Sequence, residues 1–142
     1  LLLVSSPGRA SRVVEESVSL LDVAPAVLAE LSLPPHGNFQ GRGDILAPGY
    51  RAAGRPFAFT LQGLVQQDGL LLDDLKLIVE GDRIDRRLFD LATDPGERHD
   101  LAGERPDLVA ALQSELDAFL ARQLDYYRDE GWRKGLYPPA LP

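Results

Sequence analysis

Apolar residues at steps of three and four predict two helices in this chain of 142 residues. The first begins near Ser19, and its spacing runs through Leu20, Val23, Ala24, Val27, Leu28 and Leu31. Ser19 and Asp22 both have side chains that cap helix N-termini well. Pro25 favours Asp22 as the cap, because proline then lies in the first turn, where backbone N–H groups have no helical partner. The pair Pro34-Pro35 ends this helix.

The second predicted helix is longer and covers residues 105–128. A single stripe of apolar side chains runs along it at the same spacing, formed by Leu108, Leu112, Leu116, Phe119, Leu120 and Leu124. We expect this stripe to lie across a sheet.

Three segments between the helices alternate apolar and polar residues with a period of two, which indicates strands. They are residues 56–63, 69–81 and 86–93. In the second, Leu75, Leu77 and Val79 fall on one face, and Lys76 and Ile78 fall on the other. Because the linkers are short, we expect an antiparallel meander.

The stretch LFDLATDPGERHDLA, residues 88–102, runs from the last strand into a turn. Asp94 suits the first turn position, Pro95 has a fixed φ, and Gly96 tolerates a positive φ. The acidic residues that follow suit a helix N-terminus, where they meet the positive end of the helix dipole. The pattern therefore predicts a structural turn that takes the chain off the sheet.

The chain opens with three leucines and a valine, followed by Ser-Ser-Pro-Gly. This run is typical of a buried parallel strand, here residues 1–5, and is too short for a signal peptide or a membrane span. A parallel strand needs neighbours that the rest of the chain hardly supplies. We therefore expect the chain to be a piece of a longer protein that begins within a fold.

Together these elements predict an α+β fold in four parts. Residues 1–35 would be the last strand and helix of a larger α/β core, and residues 36–56, rich in Gly, Pro and Arg, would connect it onward. Residues 57–128 would form a small antiparallel sheet of three to four strands packed by the long C-terminal helix. Residues 129–142 would be a tail.

The net charge of −7 and the absence of cysteine exclude several classes of function. Nucleic-acid binding needs clustered Lys and Arg, as does a polybasic membrane contact, and this chain has its acidic excess from Asp68 onward. Without cysteine there is no disulfide, no thiolate catalysis and no Cys-based zinc site. The two histidines, His36 and His99, lie far apart, which argues against a His-based metal site.

Four stretches, taken in order, resemble the C-terminal part of the sulfatase family, within the alkaline-phosphatase-like superfamily. SLLDVAPAVLAELSLP is similar to the family's helix V-D-L-x-P-T-L-L-x-x-A-G-L-P, and QGRGDILAP to its loop Q-G-x-S-L-x-P. LKLIVEG is similar to its strand W/Y-K-L-I, and LFDLATDPGERHDLA to L-Y-D-L-x-x-D-P-x-E-x-x-N-L-A. The departures from these patterns are Ala26 for Thr, Gly43-Asp44 for Ser-Leu, and Asp100 for Asn.

The resemblance implies a parent enzyme that hydrolyses sulfate esters with a formylglycine nucleophile and a divalent cation, calcium or magnesium. In the family, those residues lie mostly upstream of the matched stretches. We therefore expect this segment to hold no cofactor, to be catalytically silent alone, and to complete the core and shape the substrate cleft. Its expected partner is the N-terminal catalytic domain of the parent chain, and contacts within a homo-oligomer are a further expectation. The acidic charge of the segment predicts that it makes no membrane contact.

Few residues in this chain are candidates for catalysis or substrate binding. Ser5 fits the formylglycine pattern S-x-P-x-R, but its placement matches a late core strand and its turn, so we interpret it as structural. Asp73 and Asp74 are neighbours on a strand and point to opposite faces, so a hairpin turn explains them better than paired acid–base catalysis. His36 and Arg42, in the connecting loop, are the candidates for the rim of the substrate cleft.

Two other hypotheses stay open. The parent could be a related phosphoester or phosphonate hydrolase, or a phosphoglycerol or phosphoethanolamine transferase. Alternatively, the chain could be a stand-alone protein-interaction module. A large apolar patch on the helix near residues 20–31 would indicate a missing partner domain instead of such a module.

Overall fold

The computed structural model describes residues 2–4, 12–35, 39, 41–63, 65–81 and 85–128. They form two compact units, one from the described residues up to Ala52 and the other from Ala53 onward. The assignment of residues 1–35 to a larger core, of 36–56 to a connection and of 129–142 to a tail stays a prediction.

The first unit begins with two short strands, β1 (Leu2–Val4) and β2 (Arg12–Val14). They pair antiparallel, with Leu3 opposite Val13. The predicted first strand is therefore present, but its described partner is antiparallel where a parallel one was predicted. The segment between the two strands is too short for a parallel crossover, which needs a dozen or more residues. β2 was not predicted, because a strand of three residues is too short to show a period of two.

A short 3₁₀-helix, Leu20–Asp22, leads directly into α1, Val23–Glu30. The predicted helix is thus confirmed, and Asp22 occupies the predicted N-cap position of α1. Ser19 caps the helical segment, and its hydroxyl accepts a hydrogen bond from the Leu21 N–H. The Asp22 side chain makes no capping bond to α1 because its carboxylate is engaged elsewhere.

The second unit is an antiparallel meander covered by one long helix. Its strands are β3 (Pro56–Leu61), β4 (Gln67–Leu72), β5 (Leu75–Glu80) and β6 (Asp85–Asp90), in the order β3-β4-β5-β6. The helix α2 covers Pro106–Arg128. This arrangement confirms the predicted α+β class, the meander and the long C-terminal helix.

β4 and β5 are joined by a two-residue hairpin at Asp73-Asp74, with Leu72 opposite Leu75. Asp73 adopts a positive φ of 51°, and its carboxylate accepts a hydrogen bond of 2.6 Å from the Gly54 N–H. Both residues therefore serve the turn, as predicted.

The core of this unit lies where one face of the sheet meets α2. It consists of buried side chains from three strands and the helix: Leu70, Leu77, Val79, Leu88, Leu112 and Leu116. Leu77 and Val79 share one face of β5, as their alternation predicted. The predicted helical stripe is buried at its centre, whereas Leu124 near its end is 56% exposed. No described helix combines the length and apolar character that a membrane span requires.

Candidate functional site

Of the two predicted rim residues, the structure describes Arg42, whereas His36 lies outside the described residues. Ser5, which fits the formylglycine pattern, also lies outside them. Arg42 follows Gly41 in the segment that returns alongside the start of α1. The role of both residues at a substrate cleft stays a prediction. The structure shows which contacts hold Arg42 and the segment around it.

Asp22 anchors the Arg42 segment to the helix. Its side chain is completely buried, and its Oδ1 accepts a hydrogen bond of 2.7 Å from the Arg42 backbone N–H. Its Oδ2 accepts one of 2.8 Å from the Ser19 backbone N–H, which completes a capping box. A buried carboxylate is stable only when such donors replace its lost hydration. Asp22 thus joins two segments twenty residues apart in sequence.

Gly41 allows this close approach. A Cβ atom at this position would overlap the backbone carbonyl of Leu21, so any larger residue would push the loop away from the helix. Gly43 also passes close to the helix, since a Cβ there would lie 3.3 Å from the Pro25 carbonyl oxygen. The two glycines of QGRGD therefore serve backbone packing.

The Arg42 guanidinium is held in a fixed position by its own loop. Its Nε donates to Asp44 Oδ1 at 2.9 Å, and a second nitrogen donates to Asp44 Oδ2, which makes a two-pronged ion pair. Its third nitrogen reaches the Arg51 carbonyl at 3.4 Å, and the Tyr50 ring lies 5.1 Å from the guanidinium carbon. The hydrogen bond to Asp44 raises the pKa of Arg42 above its ordinary value.

The far end of the loop is fixed to the segment before the helix. Tyr50 is buried and donates its hydroxyl hydrogen to the Ser17 carbonyl at 3.1 Å. The Glu16 carboxylate accepts from the Ala52 N–H at 3.0 Å and pairs with Arg51 at 3.4 Å. The loop of residues 41–52 is therefore held at both ends, and we name it the Arg42 shelf. The Arg42 side chain remains 43% exposed on it.

Arg42 on this shelf can contact an anion or pack against a neighbouring protein surface. Among its described residues, the shelf holds no nucleophile with an adjacent base. Among the described residues, no group of three or more His, Asp or Glu side chains comes close enough to hold a metal ion. Arg42 was a sequence-based candidate in the connecting loop, whereas Asp22, Gly41 and Tyr50 were not predicted as its supports. The spacing Ser19-x-x-Asp22 was the one available signal, because it resembles a capping box.

An open groove in the second unit lies between β6 and the first half of α2. Its lining includes Arg86, Gln113 and Asp117. These polar groups bond to one another, since Arg86 Nε donates to Gln113 Oε1 at 3.2 Å and Gln113 Nε2 donates to Asp117 Oδ1 at 2.9 Å. The groove is therefore a weaker candidate than the Arg42 shelf.

The Asp94-Pro95-Gly96 motif forms the predicted turn, with one correction. The residue with a positive φ is Glu97, at 52°, and not Gly96. The Asp94 carboxylate makes this conformation possible, because its Oδ2 accepts from the Arg98 N–H at 2.6 Å and from the His99 N–H at 2.8 Å. The Glu97 side chain then reaches Lys76 at 2.6 Å.

The acidic residues after this turn were predicted to serve a helix N-terminus, and only Asp107 lies in the first turn of α2. Asp100 instead fastens the returning chain to β6. Its Oδ1 accepts from the Leu88 N–H and from the Ala102 N–H, both at 2.9 Å, beside the bond from the Leu101 N–H to the Leu88 carbonyl. Part of the outer edge of β6 is thereby paired.

Asp94 gives this turn a predictable pH dependence. The bonds from the backbone N–H groups, led by that of His99, hold the pKa of Asp94 below its ordinary value. Because the folded pKa is depressed, the stabilisation is complete above the unfolded value of about 3.9 and is lost as the pH falls through the folded value. A carboxyl NMR titration should place the Asp94 midpoint below 3.9, and Asp94→Asn should remove this contribution to acid unfolding. A midpoint at or above the ordinary value would contradict this role.

Asp100 provides a second prediction, with a matched control. Asp100→Ala removes the acceptor of two backbone N–H groups and should cost about 1–2 kcal/mol in urea unfolding. Asp100→Asn keeps Oδ1 as the acceptor, so it should cost much less. If both variants lose equal stability, the negative charge matters and not the acceptor.

Comparison with solved structures identifies the fold, whereas no protein-family model matches the chain. The chain is similar to BT1596, a 2-O GAG sulfatase, with a TM-score of 0.58 and 20% identity over 85% of this chain and 27% of that chain. It is also similar to yidJ from Bacteroides fragilis, which is assigned to the sulfatases, with a TM-score of 0.55 and 18% identity over 70% of this chain and 24% of that chain.

The chain has the fold of the C-terminal portion of sulfatases. The chain is also similar to Ps i-CgsB in complex with k-i-k-neocarrahexaose, with a TM-score of 0.63 and 17% identity over 75% of this chain and 25% of that chain. The chain therefore spans about a quarter of the length of these three structures.

Proposed function

We propose that this chain is the C-terminal segment of a sulfate-ester hydrolase. The observation that carries the proposal is the match between most of this chain and about a quarter of several sulfatase chains. The four sequence stretches that resemble the sulfatase family support it independently of the fold. The catalytic nucleophile would lie in the N-terminal catalytic domain of the parent chain, which is the proposed partner of this segment.

The proposed contribution of this segment is structural. It would complete the core of the enzyme and form one wall of the substrate cleft, without catalysing the reaction itself. Arg42 supports a role at that wall because its guanidinium is oriented by Asp44 and Tyr50 and remains partly exposed. His36, six residues earlier in the same connection, would lie at the same rim.

Hydrolysis of a sulfate ester needs charge stabilisation on the transferring group, which a divalent cation such as calcium or magnesium supplies. The described residues gather no cluster that fits such an ion. As the resemblance to sulfatases implies, the cation of the proposed enzyme would be held by the N-terminal catalytic domain of the parent chain. Arg42 would act beside that site on the substrate, as a fixed cation and not as a ligand.

The substrate to test first is a sulfated saccharide. BT1596 is a 2-O GAG sulfatase, and Ps i-CgsB was solved with a neocarrahexaose. Such substrates carry several anionic groups, and an oriented arginine at a cleft rim suits a second anion beside the ester that is cleaved.

The proposal is tested with the complete gene product that contains this chain. It should release sulfate from a sulfated disaccharide or from 4-nitrophenyl sulfate when calcium or magnesium is present, and the 142-residue chain alone should release none. Faster turnover of 4-nitrophenyl phosphate or a phosphonate ester would favour the phosphoester hydrolases and transferases. If neither ester is cleaved and the 142-residue chain is a stable monomer, the interaction module would replace this proposal.

A further inference from the structure

The helical segment of the first unit is apolar on all sides. Its exposed side chains include Leu20 (90% exposed), Val27 (49%) and Leu31 (63%), together with Leu21 and Val23. Leu20, Val23, Val27 and Leu31 follow each other at steps of three and four, so they form one stripe along the helix. Large apolar side chains at such exposures are common singly, whereas a continuous stripe marks an interaction surface.

The opposite side of the same helix is already packed within this unit. Asp22, Pro25 and Ala26 are buried. The backbone of Gly41 and Gly43 passes close to Leu21 and Pro25. The helix is therefore fixed in orientation, and its exposed stripe cannot turn inward without breaking the bonds of Asp22.

The composition of the stripe also differs from that of a solvated helix face. Between Leu20 and Leu31 the charged residues are Asp22, which is buried, and Glu30 at the end of the helix. A helix with apolar residues all round is buried on both sides in folded proteins, because a solvent-facing side carries charged and polar residues.

We propose that the stripe formed by Leu20, Val23, Val27 and Leu31, which we name the outer stripe, packs against an apolar surface of the catalytic domain in the same polypeptide. This inference rests on the proposed function and adds the contact surface to it. The matched sulfatase chains are about four times as long as the matched region, so a covering domain of sufficient size belongs to such proteins. A lipid surface is disfavoured, because residues 20–31 contain no Lys or Arg to meet headgroups.

The test compares the same substitutions in two contexts. Val27→Asp and Leu31→Asp are made in the 142-residue chain and in the complete gene product. In the 142-residue chain the outer stripe is exposed, so the melting temperature should stay within about 2 °C, as it should for the control Leu124→Asp on α2. In the complete product, each substitution on the outer stripe should lower the melting temperature on the order of 5 °C or prevent soluble expression, because a charge is then buried.

Three results would overturn the outer stripe as a docking surface. One is unfolding of the 142-residue chain by Val27→Asp but not by Leu124→Asp, since the stripe would then belong to the chain's own core. Another is a complete product that tolerates both substitutions. The third is a defined dimer of the 142-residue chain in sedimentation velocity that Val27→Asp dissociates, since a second copy would then be the occupant. Sulfate release by the unmodified complete gene product tests the proposed function separately from the outer stripe.

Discussion

Replacing Leu77 with alanine should destabilise the sheet and its helix by about 3 kcal/mol, in the range known for fully buried Leu→Ala changes. Leu77 has no exposed surface and lies at the centre of the cluster that joins β4, β5, β6 and α2. The loss combines the transfer free energy of the removed atoms with the cavity left against neighbours such as Leu116. Urea unfolding of the 142-residue chain, followed by circular dichroism, would measure it.

The matched control is Leu124→Ala on α2. Leu124 belongs to the same sequence stripe as Leu116 but is 56% exposed. Its truncation should therefore change the free energy of unfolding by less than about 0.5 kcal/mol. Equal losses at Leu77 and Leu124 would mean that the sheet and helix do not share the core seen here.

The contrast between Leu116 and Leu124 shows what periodicity can and cannot predict. The apolar stripe predicted the start of α2 within one residue of the observed start. The prediction succeeded because the stripe covers many positions and because Pro106 is favoured in a first helical turn. It could not tell that the stripe leaves the sheet before Leu124, because the extent of the sheet is not encoded in the helix. The strand region was predicted from alternation in the same way, although the single predicted segment 69–81 contains two strands, β4 and β5, joined at Asp73-Asp74.

The errors arose where a distant partner decides a local conformation. Pro25 favoured Asp22 as the helix cap, and Asp22 takes that position in α1, but its carboxylate binds the N–H groups of Arg42 and Ser19 instead of those of α1. At the Asp-Pro-Gly turn, two hydrogen bonds to Asp94 fix the backbone beyond Glu97, so Glu97 and not Gly96 takes the positive φ. Neither partner can be read from periodicity or propensity.

The candidate site was predicted only in part for the same reason. Arg42 was identified from a loop that resembles the sulfatase pattern. Its ion pair with Asp44 depends on a backbone that Gly41 and the buried Asp22 shape from outside the loop. The fold itself could be predicted because it depends on repeated, local patterns, whereas the orientation of one guanidinium depends on a few contacts between distant segments.

Removing the Asp22 carboxylate should therefore have the largest effect in the first unit. Asp22→Ala leaves the part-buried N–H groups of Ser19 and Arg42 without their acceptor, which should cost about 1–3 kcal/mol. Amide hydrogen exchange followed by NMR would localise the effect. The Ser19 and Arg42 amides should exchange at least tenfold faster, with the amides of β5 as the internal reference for a folded chain.

Asp44→Ala is the matched control, because it removes a carboxylate of the same loop that is half exposed. It frees the Arg42 guanidinium but leaves the Arg42 backbone N–H on Asp22, so the exchange of that amide should hardly change. An exposed ion pair of this kind contributes at most about 1 kcal/mol. If Asp44→Ala accelerated exchange as much as Asp22→Ala, the shelf would be held by the Arg42 side chain and not by the buried carboxylate. In the proposed sulfate-ester hydrolase, sulfate release by the same two variants would test whether activity depends on an oriented Arg42 side chain or only on an intact loop.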